Sequence, residues 1–355
     1  MTRMRAAIVG TGDVARLHAE AIAARDDADV VVAVDVDADR AAAFAQKYGI
    51  PCSATSLPDG HLDVVHLCTP PAGHAAQAED AFARGAHVVV EKPPALTLHD
   101  VDRMIAAGDA AGRHLAVVFQ QRTGTATAHV KRLLDDGRLG RPLLARCDTF
   151  WFRDDTYFAA PWRGTWANEG GGTTLGHGIH QLDLLAYLLG EVDEVQGQTW
   201  RLARDIETED VSTAVLRFES GVVATAMTSA VSPRQVSSIR VDTELATVEL
   251  EHLYGHGHAN WRITPRPGAD APSSWTFPAT EQPSGHDAYI DAVYPALAAG
   301  AALPDVASAP ARSMEIVAAL YASSERSAAV ALREVRESSE LRGQMSAQVR
   351  DERRS

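Results

Sequence analysis

The chain of 355 residues is longer than one ordinary domain, and its length predicts two. Hydrophobic residues make up 46% and charged residues 23%, the composition of a folded globular protein. A formal net charge of −14 disfavours nucleic acids and anionic membranes as partners. We expect a cytoplasmic protein, because the three cysteines have no disulfide-like spacing and no apolar stretch is long enough to span a bilayer.

Short apolar runs alternate with alanine-rich segments through the first third of the chain. The runs predict buried strands and the alanine-rich segments predict helices, an alternation typical of a doubly wound parallel sheet. The predicted strands are 6–10, 30–35, 63–68, 87–90 and 115–119, and the predicted helices are 13–25, 38–48, 73–84, 98–111 and 125–136.

After residue 142 the pattern changes. Several alternating runs follow one another without intervening helices, which predicts an antiparallel or mixed sheet. We expect a loop over 255–285 and a solvated or frayed polar tail at the end of the chain. The predicted strands are 143–152, 195–202, 210–218, 221–229, 236–241 and 245–250, and the predicted helices are 173–189, 286–299 and 309–330.

The segment GTGDVA at 10–15 joins the first predicted strand to the first predicted helix. In this G-x-G-x-x-A spacing, the first glycine permits a tight turn, the second lets a pyrophosphate approach the backbone, and the small third residue allows helix–strand packing. The helix amino terminus offers free N–H groups to the phosphates. The candidate cofactor contacts are Gly10, Thr11, Gly12, Asp13, Val14 and Ala15.

Asp35 ends the second predicted strand. A carboxylate at this place can accept both ribose hydroxyls and repels a 2′-phosphate, so we expect NAD as the cofactor, with NADP disfavoured. Arg40 is close enough in sequence to contact a cofactor phosphate as well. The alternative is an ordinary strand–turn–helix with a solvated Asp35.

Two further strands end in polar residues. Thr69, Pro70 and His74 follow the strand 63–68, and Glu91 and Lys92 follow the strand 87–90. The carboxyl ends of parallel strands meet at the edge where such sheets bind ligands, so all five are candidate cofactor contacts. Lys92 can also stabilise an alkoxide as a hydride leaves. The alternative is a strand that reaches the surface with solvated charges.

The order of these motifs, GTGDVA, Asp35, CTPP and EKPPALTL, resembles the glucose–fructose oxidoreductase/inositol dehydrogenase/MocA family of NAD(P)-dependent dehydrogenases. The similarity continues through FQQR at 119–122 and GGGTTLGHGIHQLDLLAYLLG at 170–190. It implies a Rossmann domain over 1–121 and an α/β domain over 122–332 with a large open, mostly antiparallel sheet. A polar tail over 333–355 follows, and the closing helices turn back toward the first domain.

The resemblance also implies site residues. Lys92 would lie at the nicotinamide and substrate, His180 would exchange a proton with the substrate hydroxyl, and FQQR would bring Gln121 to the cofactor and Arg122 to the substrate. Many family members carry an aspartate four residues before the histidine, but Gly176 occupies that position here. Two roles stay open for His177: it replaces the carboxylate, or it enlarges the polar end of the pocket.

The spacing His177, His180, Asp183 places three polar side chains on adjoining parts of one helix face. Asp183 could orient the His180 ring, and an imidazole can take a proton near neutral pH. The three could alternatively be metal ligands, but no other ligand cluster supports this, and we predict no metal.

The segment 152–172 is polar and aromatic. Aromatic faces stack on sugar C–H groups and arginine donates to hydroxyls or carboxylates, so Tyr157, Trp162 and Arg163 are candidate substrate contacts. A structural aromatic cluster under a loop is the alternative.

These features together predict an NAD-dependent oxidoreductase acting on a secondary alcohol of a sugar, sugar derivative or cyclitol. The alternatives are a non-catalytic NAD-binding regulator, which Gly176 favours, and a redox-neutral sugar-modifying enzyme with tightly bound NAD. An open sheet face is normally covered by another subunit, so we expect a homodimer or homotetramer.

Overall fold

The computed structural model describes residues 3–346 and 349–351, which form two compact units. The first unit combines the chain up to Ala95 with His99–Gln120 and His286–Pro310. The second combines Leu96–Leu98, Gln121–Gly285 and the chain from Ala311 onward. Every helix in the described part of the chain is too short or too polar to cross a membrane.

The amino-terminal third contains six strands and four helices, which alternate except between the third and fourth strands. They are β1 (Met4–Val9), α1 (Ala15–Ala23), β2 (Ala28–Val34), α2 (Ala38–Tyr48), β3 (Cys52–Ala54), β4 (Val64–Leu67), α3 (His74–Ala83), β5 (His87–Val90), α4 (Leu98–Ala111) and β6 (Leu115–Val117).

These strands form one parallel sheet in the order β3-β2-β1-β4-β5-β6, which confirms the predicted doubly wound fold. β4 and β5 are buried along their whole length, as their continuous apolar sequences indicated. The strand order reverses between β1 and β4, and ligands of such sheets bind outside the carboxyl ends at this point. The sequence patterns missed β3, a three-residue edge strand without an apolar run.

The rest of the chain is richer in strands. Its elements are α5 (Thr125–Asp135), β7 (Pro142–Phe152), α6 (Asp155–Phe158), α7 (Trp166–Glu169), α8 (Ile179–Leu189), β8 (Val192–Arg201), β9 (Val211–Phe218), β10 (Val223–Ser229), β11 (Val231–Thr243), β12 (Ala246–His252), β13 (Trp261–Pro265), α9 (His286–Ala299), α10 (Arg312–Arg326), β14 (Val330–Ala331), α11 (Leu332–Glu337), α12 (Ser339–Gly343) and β15 (Arg350–Asp351).

The main part of the second unit begins at Gln121, next to the predicted boundary at 121/122, and the chain returns to the first unit with α9. Tyr289, Ile290, Val293 and Leu297 recur at helical spacing and form a stripe. This stripe is buried in one cluster with strand residues of the first sheet, among them Val64. Helix α9 therefore completes the core of the amino-terminal unit, although about 165 residues of the second unit precede it in sequence.

The second unit contains a nine-stranded sheet in the order β13-β12-β11-β7-β10-β9-β8-β14, with β15 also paired to β8. The sheet is antiparallel except for the pairs β7–β10 and β8–β15, which confirms the predicted large, mostly antiparallel sheet. Helices α8 and α10 pack on one face. The opposite face exposes apolar side chains, namely Leu144 (51%), Val215 (46%), Val223 (41%) and Met227 (40%).

Two expectations for the carboxyl-terminal half were wrong in detail. The predicted loop over 255–285 contains β13, whose first residue Trp261 is buried and donates its indole N–H to His256. The tail is not uniformly solvated either, because Val335 of α11 is buried and Arg336 pairs with Glu315. Of the predicted tail, residues 347, 348 and 352–355 lie outside the described residues.

Candidate active site

The glycine turn lies where β1 and β4 meet. Gly10 has a φ of +89°, and a Cβ at this position would lie 2.8 Å from the backbone of Cys68 and Thr69. Over Gly12, by contrast, a Cβ would meet only the Arg40 guanidinium, at 4.0 Å. Gly10 therefore permits the close approach of two strand ends, and Gly12 leaves open space above the turn.

Helix α1 begins at Ala15 without a side-chain cap on its first N–H groups. Unbonded N–H groups and a positive dipole end at the start of a helix favour an anion. The open space over Gly12 and the uncapped helix together fit the pyrophosphate of a dinucleotide. Thr11 and Val14 are partly buried at this turn, and Asp13 is exposed.

Asp35 is turned toward the glycine turn. Its Oδ2 accepts hydrogen bonds from the Thr11 backbone N–H at 2.9 Å and the Thr11 hydroxyl at 2.8 Å, and its Oδ1 accepts one from the Asp37 N–H at 3.1 Å. Burial by itself raises the pKa of Asp35, but the backbone hydrogen bonds outweigh it and hold the pKa below its usual value. The carboxylate is therefore ionised. Arg40, 57% exposed, lies 3.7 Å from it.

His74 connects two strand ends. Its Nε2 lies 2.7 Å from the Thr69 carbonyl oxygen, and its Nδ1 lies 3.2 Å from the Pro94 carbonyl oxygen. Burial lowers the pKa of His74, so the ring is neutral and has one proton to donate. The shorter contact indicates that Thr69 receives it. His74 thus holds the turn that contains Thr69 and Pro70.

Lys92 is partly exposed at the end of β5 and is followed by a cis peptide bond to Pro93. The neighbouring Glu91 is buried, with its carboxylate between His18 and His286. The ligand atoms of Glu91 and these two histidines all lie within 4.8 Å of one another, a distance that a metal ion could bridge. Sequence reasoning missed both histidines, since one lies on α1 and the other on α9.

In the second unit, the glycine cluster fixes the start of α8. Glu209 accepts hydrogen bonds from the backbone N–H groups of Gly172 and Thr174, and a Cβ at Gly172 would overlap Glu209. A single π-turn, Thr174–Gly178, then leads into α8. A Cβ at Gly178 would overlap Thr228 of β10, so this glycine permits close packing of the turn on the sheet.

The two candidate histidines lie on different sides of this junction, His177 in the π-turn and His180 in α8. Both lie within the predicted helix 173–189, which is helical throughout but contains this π-turn, and π-turns of this kind are frequent at functional sites. Both rings are buried and pack near the Trp151 indole, with centroid distances of 4.9 Å for His177 and 6.5 Å for His180.

Polar groups surround His177. The Arg153 Nε–H donates to its Nε2 at 3.3 Å, and the Tyr157 hydroxyl lies 3.2 Å from the same atom. Arg153 also donates to the Tyr254 hydroxyl at 2.9 Å and lies over the Trp151 ring. Sequence patterns missed three of these residues: Arg153 lies within the polar segment 152–172 but was not singled out, and Trp151 and Tyr254 lie outside it.

Tyr157, Trp162 and Arg163, the residues predicted to form a substrate rim, lie in contact with one another. The Arg163 guanidinium lies 3.8 Å from the centroid of the Tyr157 ring and 4.1 Å from that of Trp162. It pairs with Glu169 at 3.0 Å, so its charge is compensated within the rim. Arg153 differs, because no described carboxylate lies within ion-pairing distance of it.

Two family models match the chain. One, described as "Oxidoreductase family, NAD-binding Rossmann fold", matches residues 4–119, and one of the GFO/IDH/MocA C-terminal domain matches residues 127–249. The chain belongs to the GFO/IDH/MocA family. Its amino-terminal unit is the NAD-binding Rossmann domain of that family, as the glycine turn and the strand order indicated.

Two curated relatives are dehydrogenases. The chain is 33% identical over 226 residues to D-apiose dehydrogenase of Paraburkholderia graminis, covering 62% of this chain and 59% of that relative. It is 31% identical over 229 residues to myo-inositol 2-dehydrogenase of Thermotoga maritima, covering 62% of this chain and 66% of that relative. Each match spans less than two thirds of the relative.

A solved structure covers more of the chain. The WlbA dehydrogenase from Bordetella pertussis, in complex with NADH and UDP-GlcNAcA, has a TM-score of 0.83 at 29% identity, covering 93% of this chain and 98% of that chain. The likeness extends over both the Rossmann unit and the large sheet.

Arg122 and Gln121, singled out through the family resemblance, and Asp183, singled out by its spacing from His180, have structural partners. Arg122 is fully buried and pairs with Asp183 through two hydrogen bonds of 2.7 and 2.5 Å, and Ser313 also donates to Asp183. Asp183 is therefore committed to Arg122 and Ser313 rather than to His180. Gln121 accepts from the Gln181 amide at 2.7 Å. These contacts stabilise α8 in the second unit.

We expect the protein to bind NADH more tightly than NADPH. Asp35 is ionised and lies beside Thr11, so a 2′-phosphate would bring like charge onto a fixed carboxylate. Calorimetric titration with both cofactors measures the preference, and Asp35→Ala should reduce it. Tighter binding of NADPH by the unmodified protein would contradict this prediction and would assign the phosphate to Arg40.

Proposed function

We propose that this protein is an NAD-dependent dehydrogenase that oxidises a secondary alcohol of a sugar, a sugar derivative or a cyclitol. The observation that carries the proposal is the meeting of the β1 and β4 ends at a turn that leaves room for a pyrophosphate over Gly12. The named relatives, which are sugar and inositol dehydrogenases, support it. They do not favour a non-catalytic regulator or a redox-neutral enzyme.

The roles proposed for the side chains follow from their chemistry. NAD, when bound, supplies the hydride acceptor. Lys92 donates a hydrogen bond to the substrate oxygen and stabilises the negative charge that develops there. His180 takes the hydroxyl proton as general base. His177 tunes this site, because its Nε2 already accepts the Arg153 N–H and lies beside the Tyr157 hydroxyl.

The charge beside His177 favours an acidic substrate. The Arg153 guanidinium donates to His177, to the Phe152 carbonyl oxygen, to Gln235 and to Tyr254, all of them neutral acceptors. The Arg153 charge has no acidic partner among residues 3–346 and 349–351. A carboxylate on the substrate would supply that partner. WlbA, whose structure contains the acidic sugar nucleotide UDP-GlcNAcA, is consistent with this preference.

A substrate panel tests both the dehydrogenase activity and the preference for an acidic substrate. Glucose, myo-inositol, glucuronic acid and UDP-glucuronic acid are incubated with enzyme and NAD, and NADH absorbance is followed. We expect NADH to form with glucuronic acid or UDP-glucuronic acid. Arg153→Gln should raise KM for the acidic substrate by roughly 10-fold or more, the value of one charge-assisted hydrogen bond.

The matched control is Arg240→Gln, since Arg240 lies on β11 and pairs with Asp242 at 2.9 Å. It should leave the KM unchanged. If only the neutral substrates are turned over, the proposed preference for an acidic substrate is rejected, while the proposed dehydrogenase activity stands. No turnover with any sugar, cyclitol or sugar nucleotide in either direction would reject the dehydrogenase itself.

We also propose a homodimer or homotetramer. The exposed apolar side chains Leu144, Val215, Val223 and Met227 lie on neighbouring strands of the same sheet face. Exposed apolar patches of this kind mark association surfaces. A single-chain mass in light scattering would contradict the proposal.

A further inference from the structure

A buried row of polar side chains leads to Glu91 from inside the amino-terminal unit. It draws on four parts of the chain, α1, β4, the end of β5 and α9. His18, His66 and Tyr294 have no exposed surface, while Glu91 is 6% and His286 8% exposed. Burying so many polar groups is unfavourable unless each finds a partner.

Each of them does. The Tyr294 hydroxyl lies 2.8 Å from His66 Nε2, His66 Nδ1 lies 2.7 Å from His18 Nδ1, and His18 Nε2 lies 3.0 Å from Glu91 Oε1. His286 Nε2 reaches the same carboxylate oxygen at 2.8 Å. The row therefore ends on Glu91, which receives an imidazole from each of two sides.

The number of protons on these groups decides which group donates and which accepts in each hydrogen bond of the row. Burial lowers the pKa of His18 and of His66, so each ring is neutral and has one N–H. If Tyr294 donates to His66, then His66 donates to His18 and His18 donates to Glu91, and every contact receives one proton. In the reverse order, His18 Nε2 would face the Glu91 carboxylate without a proton between them, and the Tyr294 proton would have no acceptor in the row.

The same count decides against a metal ion at His18, Glu91 and His286. An ion on His18 Nε2 would require the unprotonated nitrogen of the reverse order, in which the buried Tyr294 proton has no acceptor in the row. In the forward order the carboxylate is satisfied by the protein alone. Burial by itself raises the pKa of Glu91, but His286 and the hydrogen bond from His18 hold it well below its usual value.

The row cannot carry protons to solvent either, because it stops at Tyr294. That residue is fully buried, and burial raises the pKa of its hydroxyl. The role that remains for the row is to orient the Glu91 carboxylate. The other carboxylate oxygen of Glu91, Oε2, accepts the backbone N–H of Lys92 at 3.3 Å, so the fixed carboxylate holds the turn from which Lys92 projects.

We propose that His18, supported by His66 and Tyr294, and His286 are positioning residues for Lys92, acting through the Glu91 carboxylate. The inference rests on the proposed dehydrogenase function, since it needs Lys92 to act on the substrate oxygen. A small displacement of a catalytic group is sufficient to lower a rate by roughly 10²-fold.

The experiment compares two replacements of His18 in the full-length protein with NAD and the substrate found by the panel. His18→Leu removes the donor to Glu91 and should lower kcat by roughly 10- to 100-fold, with the KM values for NAD and substrate changed by no more than about 3-fold. His18→Gln keeps an N–H donor and should retain most of kcat. His87→Leu, another buried histidine of the same sheet, is the control.

The outcomes separate the two proposals. Equal kcat in His18→Leu and the unmodified protein, or equal loss in His18→Leu and His18→Gln, would overturn the inference while Lys92→Met still tests the function. Stoichiometric zinc in the purified protein would overturn it as well. If His18→Leu does not fold, the comparison of His286→Leu with His286→Gln decides in the same way, because His286 lies at the edge of the core.

Discussion

Replacement of Lys92 by methionine is expected to lower kcat by roughly 10²- to 10³-fold and to leave NAD affinity nearly unchanged. Methionine keeps the length and the apolar stem of the side chain but removes the ammonium group that would stabilise the developing oxyanion. The dinucleotide should still bind, because the glycine turn, the uncapped start of α1 and Asp35 are unaltered. Steady-state kinetics and calorimetric titration with NAD measure the two quantities.

Lys131→Met is the matched control. Lys131 lies on α5 and pairs with Asp135 at 2.6 Å, so its loss removes one surface ion pair of little energetic value. Its kcat should equal that of the unmodified protein. An unchanged kcat in Lys92→Met would remove Lys92 from the chemistry and with it the proposed mechanism.

Much of the Rossmann unit could be predicted because its signals are local. Continuous apolar runs mark buried parallel strands, and the glycines at 10 and 12 mark a turn whose backbone requirement is specific. Once the strands are known, topology places Thr69 and Lys92 at the ligand-binding edge without any knowledge of side-chain contacts.

What could not be predicted depends on pairing between distant segments. Nothing in the sequence around Glu91 indicates that His286 lies against it, 195 positions later. The apolar stripe of α9 predicts a helix but not the sheet on which it packs. The family resemblance implied that the closing helices turn back toward the first domain, but no pattern along the chain shows that α9 completes the core of that domain.

The candidate site in the second unit shows a similar limit. His177 and His180 were recognised by resemblance, but no spacing along the chain indicated the π-turn that contains His177. Arg122 and Asp183 looked like functional charges, yet they neutralise each other in the interior. A charged residue's role depends on its partner, and spacing along the chain does not identify a partner 61 residues away.

The histidines of the second unit are expected to contribute unequally. His180→Ala should lower kcat by roughly 10²- to 10⁴-fold, the usual contribution of a general base. His177→Ala should lower it much less, because His177 serves as an acceptor for Arg153 and a neighbour of Tyr157. His129→Ala is the control, since this buried histidine of α5 contacts the Trp275 carbonyl oxygen. Equal losses in the first two variants would contradict the division of roles.

Gly176→Asp tests the position at which this chain departs from many members of its family. A Cβ at Gly176 would meet nothing within 4 Å, and the glycine has no positive φ, so an aspartate should be accommodated without loss of stability. A carboxylate one turn before His180 stabilises the protonated imidazole. Since the base must be unprotonated to accept the hydroxyl proton, the acid limb of the kcat–pH profile should move to higher pH. An unmoved acid limb in a folded, active Gly176→Asp variant would mean that position 176 does not face the base, and that the glycine leaves the proton transfer of this enzyme unaltered.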